Sequence, residues 1–257
     1  MKKIALVNSL GDIFKLLDGA PTWSKELKEK ALERQKNLLK PANSLGQLED
    51  LAVFLSSWGK RTMKDMEKIS SIVFAGNHGV CRQAVNPFPQ EVTFQMVETF
   101  KSGKAAINKI CELNEINLEV IPINLEKPTA DISVGPAMDE MEFVESFNIG
   151  LSAVSESMDL VTLGEMGIGN TTIASALCYH FFNNEVSSWV GPGTGSTRDQ
   201  IIHKGEIIKR AVNTNKQSIE RPLDAGIFLG GREQAAICGA VIAAKHYSVP
   251  VILDGFI

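Results

Sequence analysis

A carboxylate, three glycines and two threonines fall close together in LGEMGIGNTTIASAL, residues Leu163–Leu177. An apolar run ends there. Gly164, Gly167 and Gly169 allow tight or left-handed backbone geometry before a helix opens at Asn170, Thr171 and Thr172. The free N–H groups and positive dipole end of a helix N-terminus suit a phosphate, and the two hydroxyls add donors. Glu165 would repel an anion and fits better against a sugar hydroxyl. The same residues also describe a plain strand–helix turn with Asn or Thr as its N-cap. No GxxxxGK[ST] loop exists in the chain.

Four other segments have the right residue types. VGPGTGSTRD (Val190–Asp199) places Gly191, Gly193, Thr194 and Gly195 before a helix. Lys204 follows one or two turns into that helix, either reaching a phosphate or standing as a solvated surface lysine. FAGNHGV (Phe74–Val80) puts His78 at a strand end, where it suits acid–base work or a hydrogen-bonded structural role. The loop from Asn86 to Gln90 holds Phe88 between two prolines. A stiff loop of that kind could stack an aromatic ring on a flat heterocycle or pin it into the core, and Gln90 could belong to a first helical turn. In LGGREQAAICGA, Glu233 sits in a first helical turn, where the dipole alone favours it.

These segments need elements to hold them. SIVFAG, INLEVIPINL (Ile116–Leu125), DLVTLG (Asp159–Gly164), SSWVG (Ser187–Gly191) and VPVILDG (Val249–Gly255) are short, apolar and strand-like. Helical patterns separate them, over Glu91–Phe100, Gly103–Leu113, Ala137–Glu156, IASALCYHFF, Asp199–Asn213 and Ala235–His246, with the apolar LDAGIFLGG before the last. Alternation of this kind predicts an α/β fold, a parallel Rossmann-like sheet with helices on both faces. Ligands in such folds bind outside the carboxyl ends of the strands, where the glycine-rich segments lie. The first part is different. A helix over residues 24–39, with Ser24 as N-cap, and a second from Ser44 contain no strand between them. The expected organisation is residues 1–65 as the N-terminal helical part of a smaller domain and 66–257 as the parallel α/β nucleotide-binding domain.

Composition narrows the class of function. Of the 257 residues 44% are hydrophobic and 22% charged, enough for a real core. A net charge of -4 and a pI near 5.7 argue against a nucleic-acid partner. No apolar run is long enough to suggest a membrane partner. The N-terminus lacks the features of a signal peptide. Cys81, Cys111, Cys178 and Cys238 are scattered, without a CxxC pair, as expected of thiols in the reducing cytoplasm. No metal site and no cofactor are expected.

KPANSLGQLEDLA (Lys40–Ala52), FAGNHGV with PQEVT, GEMGIGNTTIASAL, VGPGTG with Lys204, and LGGREQAA followed by VPVILDGFI occur together and in this order. From about residue 20 onward the chain resembles the nicotinate-nucleotide:5,6-dimethylbenzimidazole phosphoribosyltransferase family. The resemblance implies a homodimer that transfers phosphoribose from nicotinate mononucleotide to 5,6-dimethylbenzimidazole or a related base. The products would be nicotinate and α-ribazole 5′-phosphate, formed with inversion at the anomeric carbon. It implies that Gly167, Gly169, Asn170, Thr171, Thr172, Gly191, Gly193, Thr194, Gly195 and Lys204 hold the nucleotide. Glu165 would face the ribose and stabilise its developing charge. Asn86, Phe88 and Gln90 would line the benzimidazole pocket.

Two positions depart from the family pattern: Pro192 stands where an Arg is common, and Arg232 where an apolar residue is common. Family members also continue past DGFI into an LGEGSG-like segment whose Glu is the general base, and that Glu has no match among these residues. The alternatives to an ordinary transferase are therefore a truncated, inactive remnant or subunit that binds nucleotide or base, and a transferase for another aromatic base.

Overall fold

In a computed structural model, residues 4–59, 66–182 and 184–256 are described. The domain boundary expected at residues 65 and 66 falls at the edge of the undescribed stretch. Four strands are seen among the described residues: β1 (Ile69–Ala75), β2 (Asn117–Pro122), β3 (Leu160–Met166) and β4 (Val251–Leu253). They form one sheet in the order β2-β1-β3-β4, with all three pairings parallel.

β1 is one of the two inner strands, and every residue from Ser70 to Ala75 is buried. Such two-sided burial is why SIVFA reads as a continuous apolar run rather than an alternating one. Ile72 and Phe74 point into the main core, which also contains Val161 and Leu163 of β3. That face is covered by α6 (Glu140–Ala153) and α10 (Arg232–Tyr247), which contribute Phe147, Ala236 and Ala240. Ala75 points the other way, towards Val97 and Phe94 of α4 (Glu91–Lys101). Helices therefore lie on both faces, as the alternation of elements predicts. Asp139 and Glu142 form a reciprocal capping box at the start of α6, so the sequence itself fixes where that helix begins.

Among the described residues the N-terminal region contains three α-helices. α1 (Leu10–Asp18) has apolar points at Leu10, Ile13, Phe14 and Leu17, and it buries Leu10 and Ile13 in the main core. Asn148 of α6 brackets the preceding residue Val7, accepting from its N–H at 3.0 Å and donating to its carbonyl at 2.8 Å. α2 (Lys25–Asn37) and α3 (Gln47–Trp58) form a hairpin, closed by Ser24 N–H donating to Ser57 O at 2.9 Å. The Ser24 hydroxyl caps α2 by accepting from Leu27 N–H at 3.2 Å, as its position predicts.

The expected strand over SSWVG is not a strand. Val186–Ser188 form a short 3-10 turn, and Trp189 N–H donates to Val186 O at 3.0 Å. The Ser175 hydroxyl of α7 (Asn170–Phe182) donates to Trp189 O at 2.7 Å, so these backbone groups find local partners instead of a ladder. Pro192 follows and has no N–H to offer a sheet. The apolar LDAGIFLGG lies largely in a helix, α9 (Pro222–Leu229), begun by a proline in its first turn. Among the described residues the two remaining α-helices are α5 (Ala106–Leu113) and α8 (Arg198–Asn215).

Candidate active site

The segment Leu163–Thr172 runs off the carboxyl end of β3 into α7. Gly167 has no room for a side chain: a Cβ there would lie 2.2 Å from Gly76 O and 3.2 Å from His78 Nε2. Gly169 takes φ +94°, which L side chains avoid, and a Cβ would lie 2.7 Å from Cys81 Sγ. The turn is closed by Asn170 N–H donating to Gly167 O and Thr172 N–H donating to Gly169 O. Cys81 Sγ supports it from below with a contact of 3.1 Å to Ile168 O, and burial pushes the Cys81 thiol up to about 11. That thiol is a support and not a nucleophile.

Beside this turn lies a cavity of about 310 Å³ at the carboxyl end of the sheet. Its walls bring together Asn86, Glu165, Gly167, Gly169, Asn170, Thr171, Gly193, Thr194 and Lys204, residues singled out from four separate stretches of sequence. Val85, Pro87 and Phe256 complete much of the rest. Gly191, Gly195, Thr172, Phe88 and Gln90 stand outside the wall. Thr172 is fully buried, and its hydroxyl has no hydrogen-bond partner among the described residues. Phe88 is 45% exposed on its loop. Gln90 precedes α4 and donates from Nε2 to His78 O, tying the Asn86–Gln90 loop to the end of β1.

Lys204 is the decisive charge. Its side chain is only 2% exposed, although it belongs to a helix facing solvent elsewhere. Nζ donates to Thr171 Oγ1 at 2.6 Å. Among the described residues no carboxylate pairs with it, and desolvation lowers it to about 8. An ammonium held this way, next to the start of α7, is short of an anion. Glu165 occupies the opposite chemical role. It accepts from Asn170 Nδ2 and is pushed up to about 7, mainly by burial and then by the nearby Glu233 carboxylate. Near neutral pH it is poised between its two charge states.

The two departures noted from sequence do not crowd this cavity. Arg232 is buried and turned away, donating to Lys127 O at 2.6 Å and to Glu142 Oε1 at 3.0 Å. Pro192 shapes the 191–195 turn through its carbonyl, which accepts from Gly195 and Ser196 N–H. A larger depression of about 840 Å³ opens elsewhere, near Lys127, Glu142, Arg221 and Asp224. Within it Lys127 pairs with Glu142 and Arg221 with Asp224. Among the described residues no cluster of three or more His, Cys, Asp or Glu could hold a metal ion. No helix among them is long and apolar enough to cross a membrane.

Comparison with known proteins decides the family. A family model described as DBI_PRT, phosphoribosyltransferase, matches residues 20–257. The chain belongs to this family. It is similar to proteins named nicotinate-nucleotide–dimethylbenzimidazole phosphoribosyltransferase. The one from Brucella anthropi is 46% identical over 226 residues, 88% of this chain and 66% of that protein. The one from Rhodobacter capsulatus is 43% identical over 251 residues, covering 98% of this chain and 75% of that one. The chain thus spans about two thirds of the length of the Brucella relative. The crystal structure of CobT from Thermus thermophilus superposes with a TM-score of 0.81 at 30% identity, over 90% of this chain and 75% of that one.

Proposed function

We propose that this chain transfers phosphoribose from nicotinate mononucleotide to 5,6-dimethylbenzimidazole. The C1′–N bond of the nucleotide breaks, and its electron pair returns to the nicotinate nitrogen. A benzimidazole nitrogen bonds to C1′ from the opposite face, and the proton on its other nitrogen leaves to a base. The products are nicotinate and α-ribazole 5′-phosphate. One observation carries the reading: a buried, unpaired Lys204 ammonium at the mouth of α7 shares a 310 Å³ cavity with a half-ionised Glu165.

The phosphate belongs at the Lys204 end, against Thr171, the Gly167–Asn170 turn and the Gly193–Gly195 turn. The ribose then lies towards Glu165, whose ionised form stabilises positive charge as the glycosidic bond breaks. Thr172 and Gly191 support the two turns from outside the wall. The benzimidazole enters beside Asn86, with Phe88 and Gln90 defining the loop behind it. The family resemblance supports a homodimer, and the scattered free cysteines support the cytoplasm. Light scattering at the mass of two chains agrees with this assembly; the mass of one chain counts against it.

Incubation of the chain with both substrates, followed by chromatography, tests the reading. Formation of α-ribazole phosphate together with an equal amount of nicotinate is expected. Binding without either product would leave the chain a nucleotide-binding protein only.

A further inference from the structure

Behind the cavity wall lies a pair of ionisable side chains that the reaction as described does not use. His78 follows β1, and Glu233 sits in the first turn of α10. Both side chains are 0% exposed, and His78 Nε2 lies 3.2 Å from Glu233 Oε1. Apart from that contact, neither ring nitrogen and neither carboxylate oxygen has a hydrogen-bond partner among the described residues. An ionisable His–carboxylate pair taken fully out of water with so little support is an expensive feature in a fold.

Three glycines make the space for it. Gly76 is the next inward-facing position after Ile72 and Phe74, and a Cβ there would lie 2.3 Å from Glu233 Oε2. A Cβ on Gly231 would lie 2.6 Å from both Glu233 Oε1 and His78 Cε1. A Cβ on Gly167 would meet His78 Nε2 at 3.2 Å. Three separate turns thus converge on the pair, and one of them is the turn that carries Glu165 into the cavity. His78 also accepts from Gln90 through its carbonyl, which joins the Asn86–Gln90 loop to the same point.

We propose that the buried His78–Glu233 pair is a positioning device for the Glu165 carboxyl, acting through the turns built around it and through the charge it places behind that group. Glu165 lies on the same face of the sheet as Val161 and Leu163, the face that α10 covers, so Glu233 approaches it from the core side. After burial, the Glu233 carboxylate is the largest cause holding the Glu165 proton, while Asn170, His78 and the Phe256 N–H pull the other way. The remaining charge in the cavity is Lys204 from α8. Asp254, after β4, meets β3 through its backbone, donating from N–H to Leu163 O. The inference deepens the transferase reading and rests on it for any consequence in catalysis, but its test needs no turnover.

The test is a titration of Glu165 by NMR, with 13C-labelled glutamate in the intact chain and the Glu165→Gln variant used for assignment. In the unmutated chain Glu165 is expected to titrate near 7. Glu233→Gln keeps the shape and removes the charge. It should lower the Glu165 midpoint by about one pH unit. Glu233→Asp keeps the charge and should restore most of that shift. A structural role alone would move both variants in the same direction. Equal shifts in Gln and Asp, or no shift in Gln, would overturn the proposal. So would a Glu165 curve in the unmutated chain with its midpoint near 4.5, a result that stands even if a variant fails to fold. Loss of transferase activity with these titrations intact would instead count against the functional reading.

Discussion

Replacing Lys204 with Met should make the ligand-free chain more stable while removing its affinity for the nucleotide. Lys204 is lowered from 10.5 to about 8 by burial. At about 1.4 kcal/mol per pH unit, holding its charged form in the fold costs about 3 kcal/mol. Met has a similar reach and no charge to desolvate. The substitution gives up the hydrogen bond to Thr171 Oγ1, worth about 1 kcal/mol. The net expectation is a gain of about 2 kcal/mol at pH 7, or a rise in Tm of roughly 4–8 °C for a chain this size.

The pH dependence gives a second handle on the same site. The unfolded lysine keeps its proton to about 10.5 and the folded one only to about 8, so its cost is fully present below 8 and is relieved between those values. Glu165 has the opposite sign. The folded chain keeps its proton to about 7 and the unfolded chain only to about 4.5, so stability falls as pH rises through that window. Together they predict a dip in stability between about 7 and 8. Thermal melts in phosphate-free buffer from pH 4 to pH 10, with and without nicotinate mononucleotide, would show it. The nucleotide should fill in the dip for the parent chain and leave Lys204→Met unchanged. A variant that melts lower than its parent at pH 7 and still binds nucleotide would refute this account of Lys204.

The remaining predictions concern the walls of the cavity. Glu165→Gln should retain nucleotide binding and slow transfer by about 100-fold to 1000-fold, the usual loss when one charge-stabilising group is removed; an unchanged rate in a rapid-quench assay would remove Glu165 from the chemistry. The rate in the parent chain should rise with pH through about 7 as Glu165 ionises, whereas a flat profile would mean that its charge is irrelevant. Gly167→Ala places a methyl 2.2 Å from Gly76 O and should cost about 1–3 kcal/mol from forced backbone movement, read by chemical denaturation together with weaker nucleotide binding. Gln90→Leu breaks the tie to His78 O and should raise the KM for the benzimidazole more than that for the nucleotide. Equal effects on both substrates would place Gln90 in general packing.

Much of this was legible in the sequence because the informative features are local. LGEMGIGNTT announces a strand end, a tight turn and a helix start within a few residues, and the structure builds them there. β1, an inner strand, was readable because burial on both faces leaves an unbroken apolar run. SSWVG was misread because its apolar and aromatic composition resembles a strand, whereas its backbone is satisfied by local bonds and by Ser175. α1 was overlooked although Leu10, Ile13, Phe14 and Leu17 carry the helical spacing that would have revealed it.

What remained hidden depends on distance along the chain. Glu233 looked like a residue suited only to the helix dipole, because its partner His78 lies on a different strand end. Only their shared burial identifies them as a pair. The unpaired state of Lys204 was hidden for the same reason, since a helix lysine is usually solvated and nothing nearby in sequence marks this one as enclosed. Phe256 reaches the cavity wall from beyond β4, the edge strand that pairs with β3, a placement set by sheet order rather than by any motif.

The most direct test of the central claim is to follow nicotinate mononucleotide labelled with 13C at C1′ by NMR, in the presence of the chain and 5,6-dimethylbenzimidazole. The account predicts that the labelled signal moves from the β-linked nucleotide to a single α-linked product as nicotinate appears in equal amount. An unchanged signal, or nicotinate released alongside free ribose 5-phosphate, would contradict it.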